Sequence, residues 1–107
     1  MSKPYVCPVK TATDVIGGKW KPAILFNLQD RPPSRLSELK RIMPWVSEKV
    51  LIRQLKELVE AGVVDRDDHG VMPPRVEYSL SSYGETLRPL LRELCAWGQH
   101  HLENTAP

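Results

Sequence analysis

The hydrophobic period of this 107-residue chain changes abruptly just after Gly62. Ahead of that glycine, apolar residues recur every three or four positions, as in helices that bury one side. Beyond it, Val63-Val64-Asp65-Arg66 and Val76-Glu77-Tyr78-Ser79-Leu80 read as strands, the second with Val76, Tyr78 and Leu80 on one face. The period then returns to helical spacing up to about Leu102. Helices, a hairpin and a last helix, in that order, make an α+β chain that is mostly α, and residues 1–107 suit one domain.

Glycine and proline divide the helical part. Residues 11–16 read as a short first helix, with Thr11 and Asp14 at capping-box spacing and Gly17-Gly18 as its stop. Residues 20–28 form a second helix, apolar nearly all round and therefore buried, with Pro22 tolerated in its first turn. Ser37 can cap a third helix over 38–43, with Leu39 and Ile42 facing inward, and Pro44-Trp45-Val46 breaks it. Ser47 caps a longer fourth helix over 48–61, ended by Gly62. Leu51, Leu55, Leu58 and Val59 form its apolar stripe, and Lys49, Arg53 and Lys56 fall on another face. The stretch from Asp67 to Arg75 is too long for a tight turn and projects as a polar loop. Ser82-Tyr83-Gly84-Glu85 is a capping box that opens a helix over 82–102, which Pro89 starts or kinks.

Charge is unevenly spread. Residues 1–62 carry eleven Lys/Arg against six Asp/Glu, a balance of +5, whereas residues 63–107 carry four against seven, a balance of −3. A polyanion would meet the first part of the chain. Two helices joined by a turn and followed by a hairpin with a protruding loop is the plan of a winged helix-turn-helix, with the helix-turn-helix at 37–62, a wing of two or three strands at 63–80 and a C-terminal helix at 82–102. In that plan the N-terminal end of the second helix enters the major groove.

The residues themselves resemble a known family. Cys7-Pro8-Val9, Ile16-Gly17-Gly18-Lys19-Trp20, Leu36-Ser37-Glu38-Leu39, Ser47-Glu48-Lys49-Val50-Leu51, Pro73-Pro74-Arg75-Val76-Glu77-Tyr78-Ser79-Leu80 and Leu94-Cys95-Ala96-Trp97-Gly98 together are similar to the HxlR family of winged-helix transcription regulators, relatives of the MarR group. The chain departs from the family pattern at Leu36, Trp45 and Ile52, where an aromatic, a small residue and a threonine are usual.

The resemblance implies a homodimer bound to a pseudo-palindromic double-stranded operator. Ser47, Lys49, Val50, Arg53 and Gln54 would meet DNA from the leading turns of the fourth helix, and Arg75 from the base of the wing. Arg53 can bond guanine bidentately, while Lys49 and Lys56 suit phosphate. The alternative for this stripe is a solvated face paired with Glu57 and Glu60. The alternative for the whole chain is a winged-helix protein-interaction module that binds no DNA. Leu87, Leu91, Leu94 and Trp97 on the last helix, together with the first helix, would build the dimer. Trp20 and Trp97 read as packing residues. Trp45 either caps the core beneath the turn or lies exposed near DNA.

Cys7 precedes the first helix and is near Lys3, Lys10 and Lys19 in sequence, a setting that favours the reactive thiolate. The resemblance implies a sensor of oxidants, quinones or other electrophiles at this position. The alternative is a thiol with no signalling role. Cys95 reads as buried and inert. Asp67, Asp68 and His69 lack the spacing of a metal site, no catalytic constellation is visible, and no cofactor or enzymatic activity is expected. The longest strongly apolar run, Ala23 to Phe26, cannot span a membrane, and the N-terminus lacks a signal-peptide core, so a cytoplasmic address is expected.

Overall fold

A computed structural model describes residues 6–105. Five helices and one hairpin follow in the order α1 (Pro8–Ile16), α2 (Lys21–Leu28), α3 (Leu36–Ile42), α4 (Glu48–Glu60), β1 (Val64–Asp68), β2 (Val76–Leu80) and α5 (Arg88–Thr105), with a 3-10 turn at Gly84–Leu87 before α5. Helix α2 is the axis of the core. Its Ile24, Leu25 and Leu28 are buried, and it packs against α3, α4, α5 and β2. Leu39, Met43 and Val46 fill the space beneath the α3–α4 turn, and Leu51, Leu55 and Leu58 come from the expected stripe of α4. Val63, Val64 and Leu80 add the hairpin to the same core, and Leu91 pins α5.

The end of α4 sets the hairpin's direction. Gly62 has φ +81, the left-handed region that glycine enters without a Cβ penalty. Its N–H bonds Val59 O at 3.0 Å, and Val63 N–H bonds Leu58 O at 3.2 Å, the double closure of a Schellman cap. The chain leaves this cap directly into β1. β1 and β2 pair antiparallel from Val64↔Leu80 to Asp68↔Val76. Ser34 adds a single bridge to Tyr78, with N–H···O distances of 2.9 and 2.8 Å, so the wing is a two-stranded sheet with one further rung. Asp67 and Asp68 lie within β1, not in the loop, which begins at His69.

Three helix starts differ from the sequence reading. Helix α1 begins at Pro8 with Cys7 as its N-cap, and Thr11 lies inside it, donating its hydroxyl to Cys7 O at 3.1 Å. Proline is favoured at this first position because its missing N–H has no helical partner. Helix α3 is capped at Arg35, whose N–H is taken by the Glu38 carboxylate at 3.0 Å, so Ser37 sits inside the helix and caps nothing. The C-terminal helix starts only at Arg88, after the 3-10 turn, and the hydroxyl that bonds the entry to that turn is Ser81's, not Ser82's. The buried Ser81 hydroxyl accepts from Gly84 N–H at 2.8 Å and donates to Gly62 O at 2.6 Å. A Cβ on Gly84 would stand 2.0 Å from Val63 O, so only glycine allows this close approach. Pro89 falls in the first turn of α5 and starts that helix without kinking it.

Helix α5 is two-faced in a way its periodicity did not separate. Leu91 is fully buried and Leu87 packs against the domain's own core, so neither is available as a free surface. Leu90, Leu94, Trp97 and Leu102 are exposed, at 39%, 45%, 65% and 63%. Beyond Leu91 no residue of α5 is buried. Trp97 is therefore not a packing residue within this chain, although its ring stacks on His101 with centroids 5.1 Å apart. Trp20, by contrast, is half-buried against the core, as expected.

Candidate nucleic-acid interface

The leading end of α4 is held from both sides. Val50 N–H donates to Ser47 Oγ at 3.2 Å, the expected cap, and Glu48 sits in the first turn where the macrodipole favours an anion. The turn before it is closed by Val46 N–H on Met43 O at 3.1 Å. Lys40 then staples the turn, its Nζ donating to Pro44 O at 2.8 Å and to Val46 O at 2.6 Å. Sequence reasoning missed this lysine, and a lysine four residues before a helix-breaking proline was the available signal, since its ammonium can reach the orphan carbonyls there.

On this rigid support Ser47, Lys49, Arg53 and Lys56 are exposed, while Val50 and Gln54 are half-buried. A solvated, charge-paired face would show ion pairs along the helix. Glu57 is instead engaged by Lys21 of α2, Nζ to Oε1 at 2.9 Å, and this ammonium holds the Glu57 carboxyl below its usual range. Among the described residues no carboxylate is within ion-pair distance of Lys49, Arg53 or Lys56. Trp45 does not cap the core. It stands 65% exposed on the turn, and Ile52 is exposed on α4.

The wing completes the same side of the molecule. Arg35, Leu36, Ser37, Lys40 and Glu48 share a groove with Pro74 and Val76, which places the base of the wing against the start of the helix-turn-helix pair. Arg75 follows in the loop with its side chain 45% exposed. Asp67 and Asp68 are exposed on β1, and Asp68 Oδ1 accepts from Gly70 N–H at 3.0 Å. Among the described residues no cluster of three His, Cys, Asp or Glu side chains could hold a metal, and no helix is long and apolar enough to cross a membrane.

The thiols depart from expectation in part. Cys7 is half-buried at the N-terminus of α1, which favours its thiolate. The neighbouring cations are engaged elsewhere: Lys10 pairs with Asp14 at 3.0 Å, and Lys19 lies over the Trp20 ring at 5.0 Å. Lys3 lies outside the described residues. Cys95 is exposed, not buried: it lies one turn beyond Leu91 on the same face of α5, where it lines an open groove with Ala23, Phe26 and Leu91.

Comparison with known proteins agrees with this geometry. The family model for an HxlR-like helix-turn-helix matches residues 15–106. The HTH-type transcriptional regulator YtcD of Bacillus subtilis strain 168 is 47% identical over 100 residues, covering 94% of this chain and 79% of that one. A crystal structure of ytcD superposes with a TM-score of 0.84 at 45% identity, over 92% of this chain and 99% of that one. The redox regulator HypR in its oxidized form superposes with a TM-score of 0.82 at 40% identity, over 88% and 96% of the two chains. Quinone-bound YodB from B. subtilis superposes with a TM-score of 0.72 at 30% identity, over 88% and 99%. With this winged helix-turn-helix geometry and a family match that runs from the last turn of α1 to the end of α5, this chain belongs to the HxlR-like helix-turn-helix family and is a transcriptional regulator of helix-turn-helix type.

Proposed function

We propose that the protein works as a homodimer on a pseudo-palindromic operator, reading the major groove with the leading turns of α4 and gripping flanking DNA with Arg75. The carrying observation is that Lys49 and Arg53 stand exposed on a helix end braced by Ser47 and Lys40, with no carboxylate within ion-pair distance of either among the described residues, the nearby Glu57 being bonded to Lys21. Arg53 reads a base edge, Lys49 and Lys56 meet phosphate, and Val50 and Gln54 fill between them. The dimer face is the exposed row of α5, Leu90, Leu94 and Trp97, together with the largely exposed α1. Monomers rarely leave such a row uncovered.

Cys7 is the proposed signal site. Two thiols, Cys7 and either Cys7 or Cys95 of the partner subunit, would lose two protons and two electrons to a peroxide or diamide and join as a disulfide. A quinone would instead take the Cys7 sulfur onto its ring and become a hydroquinone thioether. Either change at the foot of α1 would shift the two α4 helices from the spacing of about 34 Å that successive major grooves demand. HypR and YodB support the chemistry by likeness only. The protein would act in the cytoplasm. Selection of duplexes from a random pool tests the central reading. Enrichment of a palindromic site, with affinity falling steeply as salt rises, is the expected result. No binding to any duplex at low salt would instead favour a protein-interaction module.

A further inference from the structure

We infer that His69, braced by Glu77, is a positioning residue that holds Arg75 ready for a DNA phosphate or minor-groove edge. The inference rests on the DNA-binding reading above. Arg75 Nη2 lies 3.2 Å from His69 Nδ1, and His69 Nε2 lies 2.5 Å from Glu77 Oε1. A guanidinium has donors only, so Nδ1 must accept and carries no proton. The neutral ring's one proton is then on Nε2, where it donates to the Glu77 carboxylate. The partners thus fix the tautomer: the bonds run from Arg75 through His69 to Glu77, and Arg75 Nε also lies 3.8 Å from Glu77 Oε1, so the same carboxylate holds the guanidinium by a second, longer contact.

The backbone supports the same pairing, since His69 N–H bonds Arg75 O at 3.0 Å across the mouth of the loop. The clamp is mostly covered, with His69 and Glu77 side chains 25% and 23% exposed, while Arg75 is 45% exposed. Arg75 keeps further N–H groups with no hydrogen-bond partner among the described residues. An arginine already held loses less freedom on binding than a free one.

The charged groups that face the ring are Glu77 and, at 3.6 Å, Asp67 from the strands, and Arg75 from the loop.

The experiment uses the full chain and the duplex enriched from a random pool. At about pH 8, His69→Phe, which removes both ring nitrogens, should weaken binding roughly two- to tenfold. The same change in an Arg75→Ala background should cost nothing further. His69→Asn supplies an amide oxygen in place of Nδ1 and does not titrate. It should restore affinity. An equal loss in both backgrounds, or Asn no better than Phe, would overturn the clamp. A bound duplex indifferent to Arg75→Ala overturns this inference alone, and no enriched duplex overturns the DNA reading with it.

Discussion

Replacing Ser81 by alanine removes one hydroxyl from the point where α4, the wing and α5 meet. Gly84 is buried, so its N–H, now 2.8 Å from Ser81 Oγ, would have neither protein nor water to bond. An orphaned buried donor costs about 1–3 kcal/mol. Gly62 is exposed, so its carbonyl, now 2.6 Å from the same hydroxyl, can turn to water at little cost. A net loss of about 2 kcal/mol follows. For a domain of this size, with an unfolding entropy of roughly 2.1 cal/mol/K per residue, that lowers Tm by about 9 °C. Ser82, the residue that satisfies the S-x-x-E pattern, is exposed and bonds none of these groups. Ser82→Ala should therefore stay within about 0.5 kcal/mol of wild type. Thermal melts by circular dichroism measure both, at one fixed chain concentration because the Tm of the proposed dimer would depend on it. Equal shifts in the two variants, or a larger one at Ser82, would refute this reading of the junction.

On the enriched duplex, Arg53→Ala should cost about 1–3 kcal/mol and relax selectivity at one base position, whereas Lys49→Ala should weaken all duplexes alike and flatten the salt dependence by about one ion. Anisotropy titrations at several salt concentrations separate the two, and wild-type behaviour in both would remove α4 from the groove. Leu94→Glu with Trp97→Glu should yield a folded monomer in sedimentation, since both side chains are exposed in the single chain, and a persisting dimer would place the interface elsewhere. Diamide or quinone should change operator affinity in wild type and not in Cys7→Ser; unaltered affinity after mass spectrometry shows Cys7 modified would end the sensor proposal. The Glu57 carboxyl titrates below its ordinary value near 4.5 because Lys21 holds its charged form. The resulting stability is present above that value and lost as pH falls through the lower folded one, so Lys21→Met should narrow the drop in Tm on acidification.

The helical framework was legible because its signals are local. Ser47 three residues before Val50, Gly62 after the last leucine of α4, and alternation at Val76, Tyr78 and Leu80 each specify a backbone geometry without help from distant residues. The misplaced starts share one cause. A capping box is a pattern of side chains, and Thr11, Ser37 and Ser82 fit it, but which hydroxyl caps depends on where the chain enters the helix. At α1 that was decided by Pro8. At α3 it was decided by Arg35, whose N–H meets the Glu38 carboxylate. At the last junction it was decided by Ser81, which has to reach back to Gly62, nineteen positions earlier in the chain.

Helix α5 shows why the proposed dimer face is the hardest part to read. Leu87, Leu91, Leu94 and Trp97 obey one helical spacing, and no periodicity tells a helix whose core it serves. The structure divides them: Leu87 and Leu91 close this chain's own core, and Leu94 and Trp97 do not. The remaining apolar length of α5 would have no energetic reason to stay helical and exposed in a monomer, because an isolated helix gains most of its stability from packing one face. α5 is 18 residues, about 27 Å at 1.5 Å per residue, and burial ends near its start at Leu91. Its unburied part is long enough to lie along a second copy of itself, which would fix the distance between two α4 helices. Operator spacing and the exposed row of α5 are then one property. A substitution that repositions α5 against its partner should change the half-site spacing selected from a random pool without changing the half-site itself. An altered half-site at unchanged spacing would place the dimer contact, and with it this account of α5, elsewhere.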